Sequence, residues 1–161
     1  GVAPEQVDLF ILTHTHIDHI GGLFDFPQAP LLIAERERAL PRPLYWTGGQ
    51  PWDWPARDCV RIAHDTRIGP GFEVLVAPGH APGQLAMMVE LPRTGWVLLT
   101  SDAISRPAEI DEGFDTAPEP DTALASARRL MEMAAAREAF VIYGHDPAQW
   151  PGLRKAPAAY D

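Results

Sequence analysis

Cysteine is nearly absent. The 161-residue chain carries Cys59 alone, so no internal disulfide can form, and one thiol says little about redox compartment. Long apolar runs are missing too, and none approaches the roughly 20 residues needed to span a bilayer. Basic residues are scarce, 13 Lys and Arg against 22 Asp and Glu. The resulting net charge of −9 argues against nucleic acid or an anionic membrane surface as a partner. The basic residues are scattered, and the densest group, Arg36 with Arg38, alternates with Glu35 and Glu37. There is no internal repeat, low-complexity tract or inter-domain linker, so a single domain over residues 1–161 is expected. The 46% apolar content suffices for a real core. A cytoplasmic location is the expectation, although residue 1 is Gly, and a targeting segment upstream would not be seen. Proline, by contrast, is abundant: 17 copies, about twice the usual ~5%, concentrated in connections, predict stiff loops.

Residues 7–12 (VDLFIL) read as a buried strand, and 18–23 as a short helix with Gly21-Gly22 allowing close packing. A strand is expected at 31–34, then a helical turn or two at 35–40, stopped by Pro41 and Pro43. Residues 44–57, with Trp46, Trp52, Trp54 and Gly48-Gly49, lack a clean period and read as a loop or lid. Strands are predicted at 60–63 and 72–76, with a turn at Gly69-Pro70-Gly71, and a hairpin over 85–91 and 96–100. Residues 102–120 look irregular. Asp121 is a plausible helix N-cap, followed by the stripe Leu124, Ala127, Leu130, Met131, Ala134, with Ser126 on the polar face. A last strand is expected at 140–143. Strands alternate with helices, so the fold class is α/β.

Against this background stands His14-Thr15-His16-Ile17-Asp18-His19, directly after the first strand. Imidazole nitrogen and carboxylate oxygen are the ligand set of zinc and similar divalent metals. Three more strands end the same way: Val76 leads to His80, Thr100 to Asp102, Tyr143 to His145. Singly, such a His is usually a solvated loop residue, and such an Asp a turn former. Together they form a set, because strand ends of one sheet system can converge on a point. His64 is left over as an ordinary strand-end residue.

THTHIDHIGG (13–22), APGHAPGQ (77–84), LLTSDA (98–103) and YGHD (143–146) resemble the metallo-β-lactamase superfamily of two-metal hydrolases. The blocks around His80, Asp102 and His145 are most similar to its N-acyl homoserine lactonase family. The resemblance implies an αββα sandwich, here partial, with the first several strands expected to be missing. It implies two divalent metal ions, most simply zinc. His14, His16 and His80 would bind the first, Asp18, His19 and His145 the second, and Asp102 would bridge them. The implied reaction is opening of an acyl lactone by a metal-bridging hydroxide, with Asp18 also carrying a proton. The partner is then a small-molecule substrate, and a homodimer is allowed. A Tyr commonly stands three residues after the bridging Asp in that family, where this chain has Ser105. Ile17, Phe24, Phe26, Trp46, Trp52 and Trp54 are candidates for lining an acyl groove, with core or loop packing an equal alternative for each. A glyoxalase II-like thioesterase and a non-catalytic metal-binding module remain the other readings.

Overall fold

A computed structural model describes residues 3–43 and 53–161. Trp46, Trp52 and the Gly48-Gly49 pair lie outside the described residues.

Three strands, β1 (Phe10–Ile11), β2 (Leu31–Ala34) and β3 (Cys59–Ile62), pair in parallel in the order β1-β2-β3. A helical turn, α1 (Glu35–Arg38), follows β2. Five further strands form a second sheet in chain order: β4 (Thr66–Gly69), β5 (Phe72–Val76), β6 (Leu85–Leu91), β7 (Gly95–Leu99) and β8 (Phe140–Ile142). Neighbours are antiparallel except β7 and β8, whose parallel pairing requires the crossover supplied by α2 (Glu109–Glu112) and α3 (Pro120–Ala136).

Alternation along β2 sets the layering. Leu31 and Ile33 pack outward with Leu12, Ile20 and Leu23, while Leu32 and Ala34 face Val74 and Leu85 of the second sheet. The opposite face of the second sheet, with Leu75, Ala86, Met88 and Leu98, is covered by Ala123, Ala127, Leu130 and Ala134 of α3. All four residues of β2 are buried, as expected for a central parallel strand with both faces covered. Leu130 is fully buried in this layer. Leu130→Ala is expected to cost about 2–5 kcal/mol, read from the shift in denaturation midpoint. A cost near zero would mean that α3 is not packed as described.

Several sequence expectations need correction. The first strand is two residues long, not six, because it pairs only along Phe10 and Ile11 while Asp8 is exposed. Residues 18–23 form turns, not a helix, so the outer layer over the first sheet is built from turns among the described residues. Asp121 lies inside the first turn of α3, whose N-cap is Glu119. Ser126 is buried on the helix's inner side and donates to the Pro78 carbonyl at 2.7 Å. β4 went unseen: Thr66-Arg67-Ile68-Gly69 is an edge strand with little apolar signal. Val60 on edge strand β3 and Phe140 on edge strand β8 are exposed. No helix among the described residues is long and apolar enough to cross a membrane.

Candidate metal centre

Four strand ends meet at one rim of the two sheets. Beyond β1 the chain turns under Leu12, and the Thr13 carbonyl accepts from Leu85 N at 2.9 Å, fastening the first sheet to the start of β6. The turn after β7 is equally constrained. Ser101 sits at φ 46, in the left-handed region disfavoured for a side-chain-bearing residue, and its hydroxyl donates to Thr13 Oγ1 at 3.1 Å. That bend aims Asp102 back between the sheets. After β8, His145 N donates to the Ser105 carbonyl at 3.0 Å and Gly144 N to the Ile104 carbonyl at 3.2 Å. A Cβ on Gly144 would stand 2.4 Å from the Ser101 oxygen, so only glycine lets the His145 loop lie against the Asp102 turn.

All seven side chains implied by the sequence come together. His16 Nδ1 lies 3.1 Å from His14 Nε2 and 2.9 Å from His80 Nε2. Asp18 Oδ2 is 3.5 Å from both His19 Nε2 and His145 Nε2. Asp102 stands between these groups: Oδ1 is 3.1 Å from His19 Nε2, and Oδ2 is 3.2 Å from His145 Nε2 and 3.4 Å from His80 Nε2. His14, His16 and His80 present ligand atoms within 4.8 Å of one another, as do His14, His19 and Asp102, and Asp18, His19 and His145. His64 is exposed and takes no part.

The electrostatics suit a cation. Burial, with neighbouring rings adding to it, drives the His14 pKa down to about 2 and that of His80 to about 4. Burial also lowers His16, against the pull of Asp102 and Glu37. These rings are therefore neutral near pH 7, with lone pairs to donate. Asp102 is pushed up by burial, but the His19, His14 and His80 rings outweigh that and hold it at about 2. At His19 the same burial is overcome by Asp102 and Asp18, and its pKa rises. Although 3.1 Å apart, His19 Nε2 and Asp102 Oδ1 are both buried without a hydrogen bond. Orphaned buried polar atoms are costly. Cations between these groups would satisfy them, and an N/O donor set of six or seven suits two ions of the zinc type.

Beside the centre opens a cleft of about 670 Å³, within the range of small-molecule sites. His16, Asp18, His80, Asp102 and His145 form one wall, while Ser105, Glu109, Phe114, Thr116, Ala117 and Pro118 form the other. Ser105 thus lines the same cleft as the metal-ligand candidates. Ile17 and Phe24 are exposed and are not among the lining residues. Phe26 stacks on Phe10 at 5.7 Å, and Trp54 donates to the Leu40 carbonyl at 2.8 Å while packing against the outer core, so packing accounts for both. Phe114, Ala117 and Pro118 escaped the sequence reading because residues 102–120 carry no periodic signal.

The chain matches the family model described as the metallo-beta-lactamase superfamily over residues 1–145. It is 32% identical to an N-acyl homoserine lactonase of Bacillus cereus over 171 aligned positions, covering 98% of this chain and 63% of that protein. It is 33% identical to the lactonase AttM of Azorhizobium caulinodans, covering 100% and 66%. Among solved structures, an N-acyl homoserine lactone hydrolase with N-hexanoyl-L-homoserine at its catalytic metal centre superposes with a TM-score of 0.86 at 29% identity, covering 98% of this chain and 63% of that one. The chain thus spans a little under two thirds of the length of these relatives.

Proposed function

Because this chain belongs to the metallo-β-lactamase superfamily, we propose that it carries the catalytic centre of a two-metal hydrolase that opens the ring of an acyl lactone, N-acyl homoserine lactone foremost. The observation that supports this best is the meeting of seven ligand-type side chains from four strand ends. His14, His16 and His80 would hold one divalent ion, Asp18, His19 and His145 the other, with Asp102 between them. Zinc is the metal this donor set favours. Bound there, such a pair supplies a nucleophile from water near neutral pH and polarises a carbonyl oxygen.

The remaining work falls to the chain's own residues. Asp102, ionised and buried, keeps negative charge between the two groups of imidazoles. Asp18 is half exposed on the cleft wall, where its carboxylate can take up the proton released by the attacking water and, as the carboxylic acid, pass it to the departing ring oxygen. Phe114, Ala117 and Pro118 give the facing wall an apolar surface for an acyl chain and exclude water there. Relatives of this name act on N-acyl homoserine lactones, and the cleft can take a ligand of that size.

A substrate panel of acyl homoserine lactones, S-acyl glutathione thioesters and β-lactams, assayed on the full-length zinc-loaded protein, tests the reading. Lactones should turn over fastest. Faster thioester turnover would put a glyoxalase II-like activity in its place, and no turnover with both ions bound would leave a metal-binding module.

Ser105 gives a sharper test. Its hydroxyl is shorter than the phenol that the lactonase family commonly places there, so it reaches less far into the cleft. Ser105→Tyr is expected to raise kcat for a lactone about tenfold, below the 10²–10³ of a fully preorganised donor to a developing oxyanion. Unchanged kcat would show that position 105 does not limit the rate.

A further inference from the structure

Glu37 belongs to the alternating charge run 35–38, yet it is fully buried. Its Oε1 accepts from Thr15 N at 2.9 Å and from Thr15 Oγ1 at 2.6 Å, and its Oε2 accepts from Gly83 N at 3.0 Å. Thr15 stands between His14 and His16, and Gly83 lies three residues after His80. One carboxylate therefore joins the two loops that deliver all three imidazoles of the first group. The approach is close. A Cβ on Gly83 would sit 2.4 Å from Glu37 Cβ and 2.5 Å from Glu37 N, so the loop lies directly on the backbone of α1.

Hydrogen bonding alone does not explain an anion at this depth. No Lys or Arg forms an ion pair with Glu37 among the described residues. A buried carboxylate is tolerated when it is fully hydrogen-bonded and a positive charge lies near. The donors account for the first condition. A cation held by His14, His16 and His80, one residue beyond Thr15, would meet the second.

We infer that Glu37 is a positioning residue for the first metal site, locking the His16 and His80 loops together and favouring the cation there by its buried charge. The inference rests on the reading of His14, His16 and His80 as a metal site. It assigns Glu37 no contact with substrate.

The test compares the wild-type chain with Glu37→Gln, Glu37→Asp and Thr15→Val. Zinc stoichiometry, competition against a chromophoric chelator and the visible spectrum of the cobalt-substituted protein are the readouts, with circular dichroism of the metal-free forms as the folding control. Glu37→Gln keeps the shape, removes the charge and sets an amide N–H against one of the donors. It should fold metal-free, lose one site's zinc affinity ten- to hundredfold and alter the cobalt bands of one site only. Glu37→Asp, which keeps the charge, should recover part of that affinity. If Glu37→Gln fails to fold, Thr15→Val decides: it removes one hydroxyl and should still weaken one site several-fold. Wild-type chelator competition and cobalt spectrum in the deciding variant overturn the inference while leaving the metal centre standing. A wild-type chain that binds no zinc overturns both.

Discussion

On the proposed two-metal reading, Asp102→Asn is expected to leave at most one bound metal ion and to lower lactone turnover of the full-length protein by about 10³-fold or more. The substitution keeps the outline of the side chain and removes its charge, so packing is preserved. Four imidazoles lie within 4 Å of that carboxylate: His19 at 3.1 Å, His145 at 3.2 Å, His80 at 3.4 Å and His14 at 3.9 Å. Asp102 thus reaches imidazoles of both the His14–His16–His80 group and the His19–His145–Asp18 group. Without it, two divalent cations would face each other across a site whose remaining carboxylate ligand, Asp18, is half exposed and off to one side. Lewis-acid stabilisation of a developing charge is worth several kcal/mol, and each 1.36 kcal/mol is tenfold in rate, which gives the expected fall. Mass-spectrometric metal analysis and a lactone assay on the same samples check it. His64→Ala is the control, since that exposed ring lies outside the centre, and its metal content should not change. Two tightly held ions and a wild-type rate in Asp102→Asn would remove Asp102 from the centre.

The site was more legible than the fold around it. The candidate ligands stand out as a set: His14, His16, His80, Asp102 and His145 each follow a strand closely, and it is the repetition at four strand ends, not any one of them, that is unusual. Long periodic elements were equally clear: Leu130 with Ala127 and Ala134 marks the buried side of α3, and the 85–91 and 95–99 strands flank their turn as expected. What stayed hidden depends on contacts distant in sequence. Glu37 is one charge in an alternating run of four, and only the approach of Thr15 and Gly83 makes it a buried acceptor. Ser126 looks polar and outward until the Pro78 carbonyl is found beneath it. Ile17 and Phe24 were reasonable groove candidates by type and neighbourhood, yet the lining comes from Phe114 and its neighbours, which no local pattern marks.

Stripped of metal, the chain will lose roughly 2–3 kcal/mol of stability between pH 7.5 and pH 5.5, a large part of what holds a domain of this size together. In the unfolded chain His14 and His80 take up protons around their ordinary value of 6.5, whereas in the fold they do so only near 2 and 4. Depressed values mean that the unfolded state binds more protons throughout this window. Stability from these two rings is therefore fully present above pH 6.5 and drains away as the pH falls toward the folded values, at about 1.4 kcal/mol per pH unit for each. His16, also lowered, acts in the same direction. His19, raised by its carboxylate neighbours, acts the other way and offsets part of the loss. Asp102, held at about 2 against an ordinary 3.8, contributes only below about pH 4, outside the window. Urea denaturation midpoints at the two pH values, measured with a chelator present, give the number, and a flat profile would mean the rings are not buried together. Zinc adds the contrast that ties this to function. At a thousand times its dissociation constant a ligand stabilises by about 4 kcal/mol, so zinc should raise the midpoint at pH 7.5. That gain should shrink by pH 5.5, because protons and metal compete for the same nitrogen lone pairs.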